Sequence, residues 1–324
     1  MKRMLLLVLA AALVLAGVAA SAPARDHASA PSKVTIAYQP GIGYAPLIIL
    51  KMQHTLEGQF PNTQFSWKVL ASGAAITTGM ISGDIQIGAG GVGPLIVGWA
   101  NGVDAKIIAP LDWGDLWLMA KDPNIKTIAD LKGKKIAMPG PTSIQGVVLR
   151  KMAQVKLGDA HALDADIVSM DHPIAMQALL SGQIDAHLTS APYQLQEKVA
   201  GAHIVARSYQ YFGAHSFLDA WESTALYNQY PQFSTTFYND VAKAIALIND
   251  NPTKVAHMLQ DDSGGIPTWR QYKQWLASSG LTFTLRPLGL MRFANFMHTI
   301  NMIGKMPSSW KDLVLPPVYS QKGS

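Results

Sequence analysis

The pattern of apolar and polar positions repeats within the chain. Ser72 to Pro94 (SGAAITTGMISGDIQIGAGGVGP) and Met176 to Tyr193 (MQALLSGQIDAHLTSAPY) each carry a helix-like run into Ser-Gly, at Ser82-Gly83 and Ser181-Gly182. Each then enters a short strand, Ile85 to Ala89 or Ile184 to Leu188, and leaves through a small-residue loop that reaches Pro94 or Pro192. A helix closed by glycine and followed by a strand is half of a parallel α/β unit. One unit in each half of the chain predicts two similar α/β domains whose strand-end loops line a shared cleft.

The remaining pattern is read in chain order. Lys33 to Tyr38 alternates and is β-branched, so it predicts a first strand, stopped by Gln39-Pro40-Gly41. Pro46 suits the first turn of a helix running on through Met52. Gln64 to Leu70 reads as a second strand, Ser72 as a helix cap, and Lys106 to Leu111 as a fourth strand. Leu116 to Ala120 is again strand-like, and the first crossing between domains is expected there. Strands follow around Ile136 to Met138, Asp166 to Met170 and Ile204 to Arg207, with helices from Pro141-Thr142-Ser143 to Met152 and from His172 to Leu180. The chain then crosses back, and its tail reads as helices over Tyr238 to Ile248, Thr253 to Leu259 and Arg286 to Ile300, with Phe233 and Tyr238 in the core. The expected division is residues 33–115 plus 213–324 for one lobe and 116–212 for the other.

Composition narrows the class. Lys2-Arg3, the apolar run Met4 to Val18 and the small residues around Ala20 to Ala22 predict a secretory signal peptide over residues 1–22, cleaved near residues 20–24. The apolar run of about 15 residues is shorter than the roughly 20 that span a bilayer. The chain has no cysteine, so no lipid attachment, disulfide or thiol chemistry is available to it. Losing Lys2 and Arg3 takes the basic count from 26 to 24 against 21 acids, and the formal charge from +5 to +3. That balance is too mild to point to nucleic acid.

The strand-loop-helix at Lys33 to Lys51, Ser72-Gly73 with Ser82-Gly83-x-Ile85, the phrase Asp130-Leu131-Lys132-Gly133-Lys134-Lys135-Ile136-Ala137, and Ser190-Ala191-Pro192 occur in an informative order. In these the chain resembles the periplasmic substrate-binding proteins of ABC importers for nitrate, taurine, aliphatic sulfonates and thiamine-pyrimidine precursors. The resemblance implies an α/β, two-lobed periplasmic-binding-protein fold (type II-like) with two β crossovers between the lobes and ligand held between them. It further implies a monomeric receptor with no cofactor that hands its solute to a separate ABC permease and ATPase. One position departs from the usual Gly-x-x-Asp: Gly83 is followed by Gln86, whereas Gly182 keeps Asp185, an acid read as structural.

Three helix starts are predicted beyond strand ends: Gly43-Tyr44, Ser72-Gly73-Ala74 and Thr142-Ser143-Ile144. Exposed amides and the helix dipole suit such termini to an anionic head group, although ordinary capping explains the same residues. The resemblance adds weight to ligand contact at Ser72, Gly73, Thr142 and Ser143. Gly91 and Val92 offer a further backbone wall, and Gln39 and Ser190 stand at strand ends beside it. Tyr44 and Trp113, with Trp221 and Tyr193 behind them, are the aromatic candidates for the organic part of a ligand, core packing being the commoner fate of a tryptophan. Asp112, Asp115 and Asp219 read either as solvated loop carboxylates or as partners for a ligand cation. No arginine falls in these loops, which disfavours a multiply charged anion.

The expected ligand is therefore a small anionic or zwitterionic organic solute, sulfonate- or taurine-like; the other readings are a thiamine-pyrimidine precursor or another heterocycle, and an exported enzyme on the same scaffold. His161, His172, His187, His203 and His215 show no recognised metal spacing, and His215 with Asp219 reads as a surface pair on one helical face. No Gly-x-Ser-x-Gly elbow or complete dinucleotide fingerprint is present, so neither catalysis nor a metal is assigned.

Overall fold

The computed structural model describes residues 30–324; the expected signal peptide lies outside them. Their strands form two sheets. The first contains β1 (Lys33–Tyr38), β2 (Gln64–Val69), β3 (Ile87–Gly91) and β4 (Lys106–Gly114). The second contains β5 (Trp117–Ala120), β6 (Ile136–Met138), β7 (Ile167–Ser169), β8 (Ala186–Thr189) and β9 (His203–Arg207). The chain then returns to the first sheet for β10 (Ser216–Glu222) and β11 (Leu281–Phe283). The orders are β11-β4-β10-β3-β1-β2 and β7-β6-β8-β5-β9.

Both sheets are built on one plan. A parallel trio, β2-β1-β3 in one and β7-β6-β8 in the other, is extended by antiparallel strands, β10 beside β3 and β5 beside β8. The chain passes between sheets after β4 and again after β9, the two-lobed α/β architecture with two β crossovers. The passing segments are stitched together. Leu116 N donates to Ser208 Oγ at 2.9 Å, Ser208 N donates to Leu116 O at 2.8 Å, and Asp115 Oδ1 accepts from Ser208 Oγ and Tyr209 N. Asp115 is thus a staple at the crossing, not a solvated loop carboxylate.

The position that departs from the expected pattern has a common structural use in both copies. Gln86 Oε1 accepts from Thr35 N at 2.8 Å, and Asp185 Oδ2 accepts from Lys135 N at 2.8 Å. Each side chain ties its helix-to-strand turn to the start of the neighbouring parallel strand. An amide and a carboxylate serve equally here because only an acceptor is needed.

Some elements differ from the reading above. The echo strands begin at Ile87 and Ala186, two residues later than expected, because the turn made by Gln86 and Asp185 comes first. Strand β10 was not expected, nor was the helical pair reading of His215 with Asp219 realised. Every residue from Ser216 to Glu222 is buried, so the strand lacks the alternation that marks a half-exposed one. Strand β11 and the helix Trp269–Ser278 also lie where only tail was read. The long tail helix is Pro231–Asp250, extending the expected one by two turns on its N-terminal side; Phe233, Phe237, Val241, Ala244, Ile245 and Ile248 form its buried stripe. Phe233 is core, packed on Phe60 with ring centroids 5.3 Å apart, and Tyr238 is half-buried. The last long helix is confined to Leu290–Thr299, since Gly289 at φ 77° breaks the path from Pro287.

Candidate functional site

Four helices start at one place between the sheets. Ala45–Met52 follows β1 through the short turn Ile42–Tyr44; Gly73–Ile81 follows β2; Val92–Ala100 follows β3; and Ile144–Leu157 follows β6. Ser72 caps the second, accepting from Ala75 N at 3.2 Å, and Ser143 caps the fourth, accepting from Gly146 N at 3.1 Å. Val92–Ala100 begins at Gly91 with no side-chain cap. First-turn amides have no partner within their own helix, and the dipoles add positive potential where they meet.

The cavity at this meeting point is walled by Gln39, Gly41, Gly43, Tyr44, Gly73, Gly91 and Pro94 on one side. Pro139, Ser143, Ile144, Gln145, His172, Ser190 and Ala191 close the other, with Phe217 and Leu218 from β10. None of these residues is Lys, Arg, Asp or Glu. The enclosed space is about 20 Å³, room for roughly one water. The walls are therefore drawn together. A Cβ placed on Gly93 would lie 2.8 Å from Ile144 N and 2.9 Å from Thr142 O, so only glycine lets the two helix starts meet this closely.

Outside the cavity lies a wider space of about 360 Å³, sharing Gln39, Pro40 and Gly41 and lined by Tyr38, Ile48, Tyr193, Tyr272 and Trp275 among others. Ile42, Ala191 and Trp275 pack as a small apolar cluster between the sheets. Gln194 Nε2 donates to Ser279 O at 3.0 Å beside it. Ile42 and Trp275 line the outer space and Ala191 the cavity, so the cluster joins the two linings.

Of the residues singled out in the sequence, Gln39, Gly43, Tyr44, Gly73, Gly91, Ser143 and Ser190 meet in this cavity. Gln39 Nε2 donates to Tyr44 Oη at 2.8 Å, and burial pushes the Tyr44 phenol well above its usual range. Ser72 and Thr142 stand one residue behind the wall, Val92 is buried behind Gly91, and Ala74 is exposed on the first turn. Trp113 is not brought to the cavity. Its indole Nε1 donates to Arg286 O at 2.6 Å, and the guanidinium lies 5.6 Å from the ring centre. Trp221 is also absent from the wall: fully buried on β10, it fills the floor under Gly73 and Gly90. Tyr193 lines the outer space.

The acids are not solvated. Asp112 and Asp219 are buried on β4 and β10, and burial raises both carboxyls well above the usual range, with Leu218 N the one donor to Asp112 at 3.2 Å. Asp112 lies behind Gly43, whose Cβ, if present, would meet Asp112 Oδ2 at 2.5 Å.

Gln145 and His172 were not anticipated as wall residues. The internal repeat carries the signal: His172 precedes Ser181-Gly182 by the same spacing at which Gly73 precedes Ser82-Gly83, and Ser190 likewise corresponds to Gly91. All four line the cavity.

Comparison with known proteins follows the same lines. Residues 101–255 match the family described as NMT1/THI5 like. The chain is 30% identical over 169 residues to the putative aliphatic sulfonates-binding protein of Escherichia coli (strain K12), covering 51% of each. It is 28% identical over 160 residues to the taurine-binding periplasmic protein of the same organism, covering 49% of this chain and 48% of that one. The matched region thus spans about half the length of these curated relatives. In three dimensions it is similar to the alkanesulfonate-binding protein SsuA from Xanthomonas axonopodis pv. citri bound to MOPS, with a TM-score of 0.71, 21% identity, and coverage of 90% of this chain and 99% of that chain. The resemblance read from the sequence holds, and the two-lobed binding-protein fold with it.

Proposed function

We propose that this relative of the sulfonate- and taurine-binding proteins is an exported solute receptor that closes two lobes, residues 33–115 plus 213–324 and 116–212, around one small organic anion or zwitterion. The observation that carries the reading is the meeting of four helix starts around a cavity walled without any formally charged side chain. Amides and dipoles there attract negative charge. With no guanidinium or ammonium to balance a second charge, a sulfonate, taurine or similar singly charged head group is the match.

The narrow cavity corresponds to the closed arrangement. Ligand enters through the outer aromatic space when Ile42, Ala191 and Trp275 part. Bound between the facing starts of Val92–Ala100 and Ile144–Leu157, an anion offsets the repulsion of their like-signed dipole ends and so favours closure. The closed form is what an ABC permease with its ATPase would receive, in the periplasm, from a monomeric receptor. Calorimetric titration of the mature chain with taurine, ethanesulfonate, nitrate, benzoate and a pyrimidine tests this. The reading expects saturable binding of the sulfonates and recovery of the ligand unchanged; preference for the pyrimidine, or conversion of the ligand, would overturn it.

A further inference from the structure

Behind the cavity wall a hydrogen-bonded chain of side chains runs into the second sheet. His172 faces the cavity beside Gln145, whose amide nitrogen is 3.1 Å from His172 Nε2. His172 Nδ1 is 2.9 Å from His187 Nε2, and His187 Nδ1 is 2.5 Å from Glu197 Oε1. His187 and Glu197 are completely buried, and Glu197 Oε2 has no partner among the described residues.

The chain has two self-consistent proton arrangements with both rings neutral. In one, Glu197 is ionised, each Nδ1–H points inward, and His172 turns a lone pair to the cavity. In the other, one proton richer, the Glu197 carboxyl donates to His187 Nδ1, His187 Nε2–H donates to His172 Nδ1, and His172 Nε2–H points at the cavity. Gln145 then offers its oxygen to the ring, the two orientations of an amide being interchangeable by a half-turn. An arriving anion replaces that oxygen as acceptor and frees the Gln145 amide hydrogens to donate beside it.

The surroundings favour the proton-rich form. Tyr193 stacks on His172 at 5.7 Å, Asp171 precedes it on its own helix, and Tyr44 lies across the cavity. Met119 of β5 and Ala137 of β6 flank His187 in the sheet. The cations on the elements packed against Glu197, Lys198 of its own helix and Arg207 of β9, lie over the Trp117 ring at 6.0 and 4.6 Å and make no ion pair with Glu197 among the described residues, and burial pushes Glu197 up to about 9 while holding His187 down to about 3.

We propose that Glu197 and His187 are positioning residues that hold His172 as a neutral donor to an oxyanion ligand while Glu197 carries its proton, so that the receptor releases its anion when Glu197 ionises. The inference rests on the solute-receptor reading, but half of it is testable without ligand. Long-range proton–nitrogen correlation of the imidazoles in the ligand-free mature chain should show His172 and His187 as neutral Nε2–H tautomers at pH 7. Both should convert to Nδ1–H in alkali. Glu197→Gln, whose amide does not ionise, should show no such conversion as pH rises. Ethanesulfonate affinity should then weaken about tenfold per pH unit above the Glu197 midpoint and become independent of pH over that range in Glu197→Gln. Nδ1–H tautomers at pH 7, or the same pH profile in both proteins, would overturn the inference. Failure of every anion to bind would sink the receptor reading while the tautomers still decide the chain.

Discussion

Gly93→Ala separates closure from folding. Gly93 lies in the first turn of Val92–Ala100 with no left-handed backbone requirement, so alanine is locally acceptable and raises helix propensity by up to about 1 kcal/mol. Across the cleft the new methyl meets Ile144 N at 2.8 Å and Ser143 C and Thr142 O at 2.9 Å, where ordinary contact begins near 3.4 Å. All three are backbone atoms of a capped helix start and cannot swing aside. Relieving an overlap of this kind costs about 1–3 kcal/mol in a packed core. Here the lobes relieve it by staying apart, so the cost falls on the closed, liganded state alone. Affinity for a sulfonate should drop roughly 5- to 150-fold, while the melting temperature of the ligand-free protein stays level or rises. Calorimetric titration alongside thermal unfolding reads both quantities. Unchanged affinity would refute the argument that closure brings these two helix starts into contact around the ligand.

Other expected outcomes follow from particular residues. Trp113→Ala should leave ligand affinity within about twofold while lowering stability, because the indole is spent on Arg286; a large affinity loss in titration would return Trp113 to the site. Asp185→Ala should cost about 1–2 kcal/mol in urea unfolding by orphaning Lys135 N, with ligand affinity unaltered. Glu222 is buried beside Ser234, and burial pushes it up to about 8 against an ordinary 4.5. The folded state therefore binds more protons than the unfolded one between those values, and the group's contribution to stability falls as pH rises through that window. Glu222→Gln should accordingly gain on the wild type from pH 5 to pH 8, by an amount on the order of a few kcal/mol, read from paired denaturation curves.

The parts of the fold that were legible in the sequence are those whose surroundings are local. Alternation at Lys33–Tyr38, the paired Ser-Gly stops and Pro46 in a first turn each carry their own explanation, and the repeat placed two matching units on two sheets. Strand β10 escaped because it is buried on both faces and carries Asp219, which reads as a loop carboxylate; only its enclosed setting between β3 and β4 reconciles that acid with a core strand. Tyr44 is placed by its own helix start, but the same blindness affects the two tryptophans. Trp113 and Trp221 were judged by adjacency to strand ends, but partners distant in sequence, Arg286 for one and the glycines of β3 for the other, decide where their rings go. The helix starts were found because capping residues and glycines mark them directly. His172 was found by no local rule, although the repeat aligns it with Gly73.

The absence of cysteine from the chain permits clean labelling at two introduced thiols. Val69 borders the outer space and is 57% exposed; Val199 ends the helix whose first residue, Tyr193, lines the opposite wall, and is 89% exposed. Spin labels at Val69→Cys and Val199→Cys give the distance across the cleft by double electron–electron resonance, with and without taurine or ethanesulfonate. The account predicts that saturating sulfonate collapses the distribution to one short distance. A distribution unmoved by bound sulfonate would contradict a receptor that closes two lobes around its anion.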